Sequence, residues 1–376
     1  MTRHPMLPLP PEAASPEARR AASSPRSRGA RRALALGCLL ALALLEGGVR
    51  ALGLAPATPS EYAQFVPDDV LPWKPAPHST REGTIASGEF DYRYVHNGAG
   101  FRDREHSLAK PADTFRIVAV GDSFTYGVGA SANETWPARL EQALEALRLP
   151  DDPHFEVLNL GIPRYWPEPE ALVVEHYGLR YAPDLVVVAF LANDFNDTLA
   201  GLDGLQVSRG FLLTRAAARL GPLAGWLYEH VHVARWGLAR LAAFTTTAAP
   251  PRDPEAVWDE ILGHYEHIVS RAHEAGARVA FLHIPQRAPW AAWAPDPPRR
   301  VAAFCAHAGC ALIDVLPAAM AQPQPTRLHF SLDGHCTPEG YALVADVLLD
   351  GLVAREWLPL SGAASSRHIA SVAGDD

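Results

Sequence analysis

Short apolar runs recur along this chain, each followed by a stretch with helical spacing. The runs are Phe115–Val120, Phe155–Leu160, Asp184–Phe190, Arg278–Ile284 and Ala311–Val315. They are brief and mostly continuous rather than alternating, which marks strands buried on both faces. Helices are expected near 134–147, 168–180, 254–275 and 298–307, with a last one over 338–354. In the first of these, Trp136, Leu140, Leu144 and Leu147 share one face. Strands alternating with helices predict an α/β fold, a parallel sheet covered on both sides.

In such a sheet, ligands bind beyond the carboxyl ends of the strands. The first run ends in Gly121-Asp122-Ser123, a tight turn that lifts a serine hydroxyl off the strand. The second ends in Asn159-Leu160-Gly161 and the third in Asn193-Asp194. Near the other end, Asp333 and His335 lie in a turn-rich segment ahead of an apolar helix. Serine is a poor nucleophile at its free pKa and needs an adjacent base, which itself needs an orienting group. An imidazole and a carboxylate on one loop provide both. A glycine amide and an asparagine side chain are the kinds of donor that stabilise an oxyanion. Each residue alone has a plainer reading: Ser123 as a turn residue holding backbone amides, Asn193 as a turn cap, Asp333 and His335 as surface groups. Asp122 reads as bonding the turn behind the serine, and Asp194 as a turn or supporting residue.

Together, Gly121-Asp122-Ser123, Asn159-Leu160-Gly161, Asn193-Asp194 and Asp333-Gly334-His335, in that order past successive strands, resemble the four blocks of the SGNH (GDSL-type) hydrolase superfamily. The resemblance covers roughly 97–354. It includes Asn97-Gly-Ala-Gly-Phe-Arg102, which looks like the lead-in of a membrane-anchored bacterial branch. It implies a flavodoxin-like three-layer α/β/α sandwich with a mainly parallel five-stranded sheet. It also implies Ser123 as nucleophile, His335 as base and Asp333 as its partner, with an oxyanion hole from the Ser123 and Gly161 amides and the Asn193 side chain. No metal or organic cofactor is implied. The substrate would be a small ester or an acylated glycan, hydrolysed through an acyl-enzyme on Ser123. The alternatives are O-acyl transfer onto cell-envelope polysaccharide by the same site, and a non-catalytic glycan- or partner-binding domain on the same fold. Two features depart from the pattern. One residue separates Asp333 from His335 where many members have two, and Arg164 and Pro169 stand where a glycine and a glutamine are expected.

A net charge of -9 argues against nucleic acid as a partner, since phosphate binding needs a concentrated basic face. Gly127-Val128-Gly129 lacks the third glycine and acidic partner of a dinucleotide site, and neither a Walker loop nor a Gly-x-Ser-x-Gly elbow occurs. His264 and His267 are spaced to share a helix face, but with no third ligand they read as solvated rather than zinc-binding. His230 and His232 point to opposite faces of any regular element. Four cysteines are too few for a disulfide scaffold. Cys305 and Cys310 either pair in an exported domain or remain buried thiols. Cys336 adjoins His335, where Ser123 already accounts for the base. Cys38 lies too early in its apolar run for a lipoprotein site.

The amino terminus carries an address. Arg19, Arg20, Arg26, Arg28, Arg31 and Arg32 precede an apolar run from Ala33 to Leu45, which resumes after Glu46 and Arg50 as far as Leu54. Extended to Leu54 it has the length of a membrane span; cut at Leu45 it resembles a signal-peptide core. The anchor reading places residues 1–32 as a disordered basic tail in the cytoplasm and the enzyme outside, on the periplasmic side. A secreted form after signal cleavage is the alternative. Residues 33–54 are then the signal-anchor or signal peptide, 55–96 a Pro-rich linker or arm, 97–356 the hydrolase domain and 357–376 a flexible tail. Within the domain, 198–252 is an apolar excursion containing Leu220, Leu223, Trp226 and Trp236. It reads as a lid, a bilayer-facing surface, or helices packed on the flank.

Overall fold

The computed structural model describes residues 25–52, 54–55, 63–85, 87–200, 205–208, 211–214, 223, 226–227, 230–245, 252–287 and 297–366. The chain divides into two units, Met1–Leu54 and Ala55–Asp376.

In the first unit, helix α1 spans Pro25–Ala51. Its stretch Gly29–Ala51, with mean hydropathy 1.7, is long and apolar enough to cross a membrane. Leu34, Leu36, Leu39, Leu40, Leu42 and Leu44 are all exposed, so the helix is apolar around its circumference. The two charges that interrupt the run neutralise each other: Arg50 Nε lies 2.7 Å from Glu46 Oε1, one turn back. The helix also starts earlier than the apolar run, so 25–32 continue it rather than belonging to a disordered tail. Residues 1–24, the rest of that expected tail, lie outside the described residues.

The second unit is built on five parallel strands. In chain order its labelled strands are β1 (Thr80–Thr84) and β2 (Asp91–Val95), which form a hairpin, then β3 (Thr114–Val120), β4 (His154–Asn159), β5 (Leu185–Phe190), β6 (Arg278–His283) and β7 (Ala311–Asp314). The main sheet has the order β7-β6-β5-β3-β4, all pairs parallel. This is the flavodoxin-like arrangement, and its order reverses between β3 and β5. The labelled helices are α2 (Ser123–Tyr126), α3 (Trp136–Leu147), α4 (Pro167–His176), α5 (Asn193–Ala200), α6 (Pro254–Glu274), α7 (Pro297–Ala308) and α8 (Pro338–Ala354). They form two layers. Val187, Ala189 and Ile117 face α3 and α8, while Val186, Val188 and Val118 face α4 and α6. Each large apolar side chain fully buried here, such as Trp136, Leu140 and Leu144 of α3, contributes about 1.5–3 kcal/mol.

β4 is an edge strand, and an edge leaves a row of amides unpaired. Carboxylates take them. The amides of Phe155, Val157 and Asn159 donate to Glu145, Glu141 and Asp103 at 2.6, 2.7 and 2.8 Å. The edge is thereby closed to strand addition.

Two expectations about boundaries need correction. The 55–96 stretch is not an open linker: Ala63, Phe65, Leu71 and Trp73 are buried in the same cluster as the sheet. Trp73 packs on Tyr165 and Trp166, with ring centroids 5.7 and 6.2 Å away, so its prolines shape a packed strap rather than a spacer. Likewise 357–366 is not a free tail, because Leu358 and Ala364 are buried and the Ser361 amide donates to Asp152. In the 198–252 excursion, the described residues include an antiparallel pair, Leu205–Ser208 with Phe211–Thr214, and a helix, His232–Thr245. Leu220 lies outside the described residues, and Leu223 and Trp226 are exposed. Cys305 and Cys310 form a disulfide linking α7 to the start of β7.

Candidate active site

The first turn after β3 is shaped by Asp122. Its carboxylate caps α2, accepting from the Phe124 amide at 2.8 Å, which sets Ser123 at the head of the helix. Gly127 ends the helix in the left-handed region at φ 87, a conformation that suits glycine. Gly161, at the end of β4, packs directly on α2: a Cβ there would collide with the amide nitrogen of Tyr126. The second block thus carries a glycine for close approach, whatever its amide does.

His335 bridges the two other groups of the expected triad. Its Nε2 lies 2.8 Å from Ser123 Oγ and its Nδ1 lies 2.5 Å from Asp333 Oδ1. An ionised carboxylate only accepts, so Nδ1–H donates to Asp333, and Nε2 is left to accept from the serine hydroxyl. Asp333 is buried, with its side chain 2% exposed, and its Oδ1 also accepts from the His335 amide at 3.3 Å. The Phe124 ring lies 4.9 Å from the imidazole and covers one side of it. Residues 212 positions apart therefore meet where the strand order reverses, the expected ligand edge of this topology.

Asn193 opens α5 just past β5. Its Nδ2 donates to Asp122 Oδ2 at 3.1 Å and Asp197 Oδ2 at 3.0 Å, and its Oδ1 accepts from Gln286 Nε2 at 2.6 Å. The amide plane is fixed on three sides. The Gly161 amide donates to Asn159 Oδ1 at 3.0 Å. Of the three expected oxyanion donors, then, Gly161 and Asn193 have their hydrogens engaged within the protein. Burial pushes the Asp122 carboxyl up, against the opposing pull of the Phe124 amide and the Asn193 side chain.

A cavity of about 450 Å³ opens over Ser123, lined also by Pro163, Arg164, Asn193, Gln286, Arg287 and His335. Arg164, one departure from the family pattern, has φ 70, an uncommon conformation for a residue with a side chain. Its guanidinium lies 3.6 Å from Asp197. Gln286 and Arg287, which follow β6, did not stand out in the sequence, although the strand-end rule that selected Asn193 also points to them.

Other candidates fall away. Burial pushes the Cys336 thiol well up, leaving it protonated and unreactive. His267 bonds Glu175 at 2.8 Å on an exposed helix face, and among the described residues no group of His, Cys, Asp and Glu is arranged to hold a metal. His329, beside the site, donates from Nε2–H to the Pro285 carbonyl (2.9 Å), and burial lowers it to about 4, so it adds no charge near His335 at neutral pH.

Behind Asn193 lies a buried acidic pair. Burial pushes Glu170 well above the ordinary carboxyl range, with the Asp122 charge adding to it; burial and then the Glu170 charge do the same to Asp194. Among the described residues, neither Glu170 oxygen has a hydrogen-bond partner. Both groups are neutral in the folded protein at pH values where the unfolded chain ionises them. The folded state then binds more protons, so stability is full below the ordinary carboxyl range and falls as pH rises. Glu170→Gln removes this term. Thermal unfolding from pH 5 to pH 8 should show the wild type losing at least about 1 kcal/mol more than the variant. Parallel stability-pH curves would contradict the assignment.

A serine, a histidine and an aspartate are thus joined at the ligand edge of a flavodoxin-like sheet, an arrangement suited to hydrolysis through the serine hydroxyl. The model of the GDSL-like lipase/acylhydrolase family matches residues 119–343, more than half of the chain. The chain belongs to this family and is an ester-hydrolysing enzyme. Similar solved structures include a putative lipolytic protein of the G-D-S-L family from Desulfitobacterium hafniense DCB-2 (15% identity, 62% of this chain and 98% of that one, TM-score 0.38). Others are a lipase/acylhydrolase from Enterococcus faecalis (16%, 64% and 96%, 0.38) and a two-domain esterase active on acetylated mannans (15%, 64% and 49%, 0.41). No curated protein matches the chain.

Proposed function

We propose that the enzyme cleaves esters through an acyl-enzyme on Ser123. The observation that carries this is the continuous hydrogen-bonded path from Ser123 Oγ through His335 to buried Asp333. As Oγ attacks the ester carbonyl, its proton passes to Nε2, and Asp333 stabilises the imidazolium that forms. The imidazolium then protonates the leaving alkoxide. Water, deprotonated by the same nitrogen, releases the acid and restores the serine.

The oxyanion forms beside the Ser123 amide, with the Gly161 amide and Asn193 Nδ2 as further donors. In the free enzyme these last two donate to Asn159, Asp122 and Asp197, so the oxyanion exchanges partners with acceptors already in place. Such bonds commonly tighten only once substrate is bound. Arg164, Asn193, Gln286 and Arg287 bring polar groups to the lining, which suits a short acyl group on a polar alcohol, acylated glycans included. The test is turnover of p-nitrophenyl acetate and butyrate by the full chain and by Ser123→Ala; equal rates end the proposal.

The helix α1 and the Cys305–Cys310 disulfide together support a catalytic unit held outside the cytoplasm, since disulfides persist in oxidising compartments. The arginines ahead of the apolar run from Ala33 then stay inside. Protease added to intact spheroplasts should digest the Ala55–Asp376 unit; full protection would place it inside.

A further inference from the structure

The loop that carries Asp333 has little to hold it. Leu332 is 72% exposed, Gly334 is in the left-handed region at φ 90, and no apolar side chain of 331–334 reaches the core. Its order comes from polar contacts: the Gly334 amide donates to the Phe330 carbonyl at 3.2 Å, and four further bonds converge on one side chain. Glu89, in the turn between β1 and β2, accepts at Oε1 from Ser331 Oγ (2.9 Å) and the Leu332 amide (2.9 Å). Its Oε2 accepts from the Asp333 amide (2.7 Å), the Leu332 amide (3.1 Å) and Ser87 Oγ (3.0 Å). Next to it, the Phe90 ring packs on Phe330 with centroids 4.6 Å apart.

The hairpin that presents Glu89 is itself tied to the nucleophile. Tyr94 of β2 accepts from the Gly129 amide at 3.1 Å, and the His96 ring bonds the Tyr126 hydroxyl at 2.9 Å, both just past or within α2. One short ribbon thus touches both halves of the constellation, the serine helix and the base loop. It lies before residues 119–343, so the matched family region does not contain it. A carboxylate beside another carboxylate is an unfavourable choice unless its donors are worth more. Burial pushes Glu89 up, but the amides of Leu332 and Asp333 and the hydroxyls of Ser331 and Ser87 outweigh it and hold the group below its ordinary value. It is therefore a charged acceptor, the stronger kind of hydrogen-bond partner.

We propose that Glu89 is a positioning residue of the hydrolytic site, fixing the 331–333 loop so that Asp333 and His335 stay aligned with Ser123. This rests on the Ser123–His335–Asp333 reading. Arg287, which donates to the Ser331 carbonyl from the other side, holds the loop less specifically, because it meets one backbone oxygen rather than a row of donors.

The test uses the full chain, with Glu89→Ala, Glu89→Gln and Glu89→Asp. A displacement of the triad on the order of 1 Å costs about 10²-fold in rate, so Glu89→Ala should lose about that much in kcat and Glu89→Gln, which keeps one acceptor oxygen, about tenfold. KM for p-nitrophenyl acetate should stay within about twofold, since the ester is not bound by Glu89. The downfield imidazole N–H resonance of the His335–Asp333 bond should weaken in step with kcat, and Glu89→Asp should recover part of both. If Glu89→Ala does not fold, Glu89→Gln decides. A folded Glu89→Gln with wild-type kcat and an intact resonance overturns the proposal, as does a change confined to KM. Activity surviving in Ser123→Ala would instead sink the serine reading beneath it, so the two failures are distinguishable.

Discussion

Ser123→Ala should lower hydrolysis of p-nitrophenyl acetate by about 10⁵- to 10⁶-fold, to the residual rate that oxyanion donors and binding alone support. The size follows from cooperation within the triad. Without Oγ there is no proton for His335 Nε2 to take and no covalent intermediate, so His335 and Asp333 have nothing to act on. Adding His335→Ala to Ser123→Ala should therefore cost little more. The folded state should be almost unaffected, within about 1 kcal/mol, because only a small hydroxyl at the cavity wall is removed and the Asp122 cap on the Phe124 amide remains. A large rate loss at unchanged stability separates chemistry from folding.

Arg102→Leu should have the largest effect on stability. Arg102 is buried, and its guanidinium reaches the carbonyls of Tyr126 at 2.9 Å, Gly127 at 2.5 Å and Ala130 at 2.6 Å. It also lies over the Tyr94 and Tyr126 rings, 4.1 and 5.3 Å from their centroids. Burial depresses its pKa, so the charge itself costs free energy, and an apolar replacement recovers that cost. The partners left behind decide the balance. Gly127 keeps the amide of Ala130, but the carbonyls of Tyr126 and Ala130 lose the donor that Arg102 gave them. At about 1–3 kcal/mol for each acceptor that loses this donor, plus the lost ring contacts, the net loss should be about 3–5 kcal/mol in denaturant unfolding. Because these carbonyls terminate the serine helix, activity should fall in the surviving folded fraction. Arg102→Lys should lose less, since an ammonium can reach two of the oxygens but cannot fork between them. A wild-type midpoint for Arg102→Leu would contradict this account.

The parts of the molecule that could be read in advance share a physical origin. Buried parallel strands must be apolar along their length, and helices that cover them must carry a periodic stripe, so Val186–Phe190 and Trp136, Leu140, Leu144 announce themselves locally. The ligand edge then follows from topology, which is why Ser123, Asn193 and the Asp333–His335 loop could be picked out before any distance was known. The hairpin could not. β1 reads Thr-Arg-Glu-Gly-Thr and is almost wholly exposed, so it has no apolar alternation to betray it. The bond from the Leu332 amide to Glu89 spans 243 positions and leaves no periodic trace. Prolines in 55–96 suggested an open arm, whereas Trp73 shows that a proline-rich strap can be core. The acidic pair Glu170 and Asp194 was equally hidden. A glutamate in a helix reads as solvent-facing, and only the packing of α4 against α6 buries it.

The decisive measurement is the site of covalent modification when the folded enzyme is exposed to a fluorophosphonate. This reagent reacts with a serine that has been activated by a base, and the bond it forms does not turn over. The account predicts one phosphonyl group per chain, on the peptide bearing Ser123, with turnover lost in proportion to labelling. Ester hydrolysis that persists with Ser123 unmodified, or a label carried by any other residue, would contradict it.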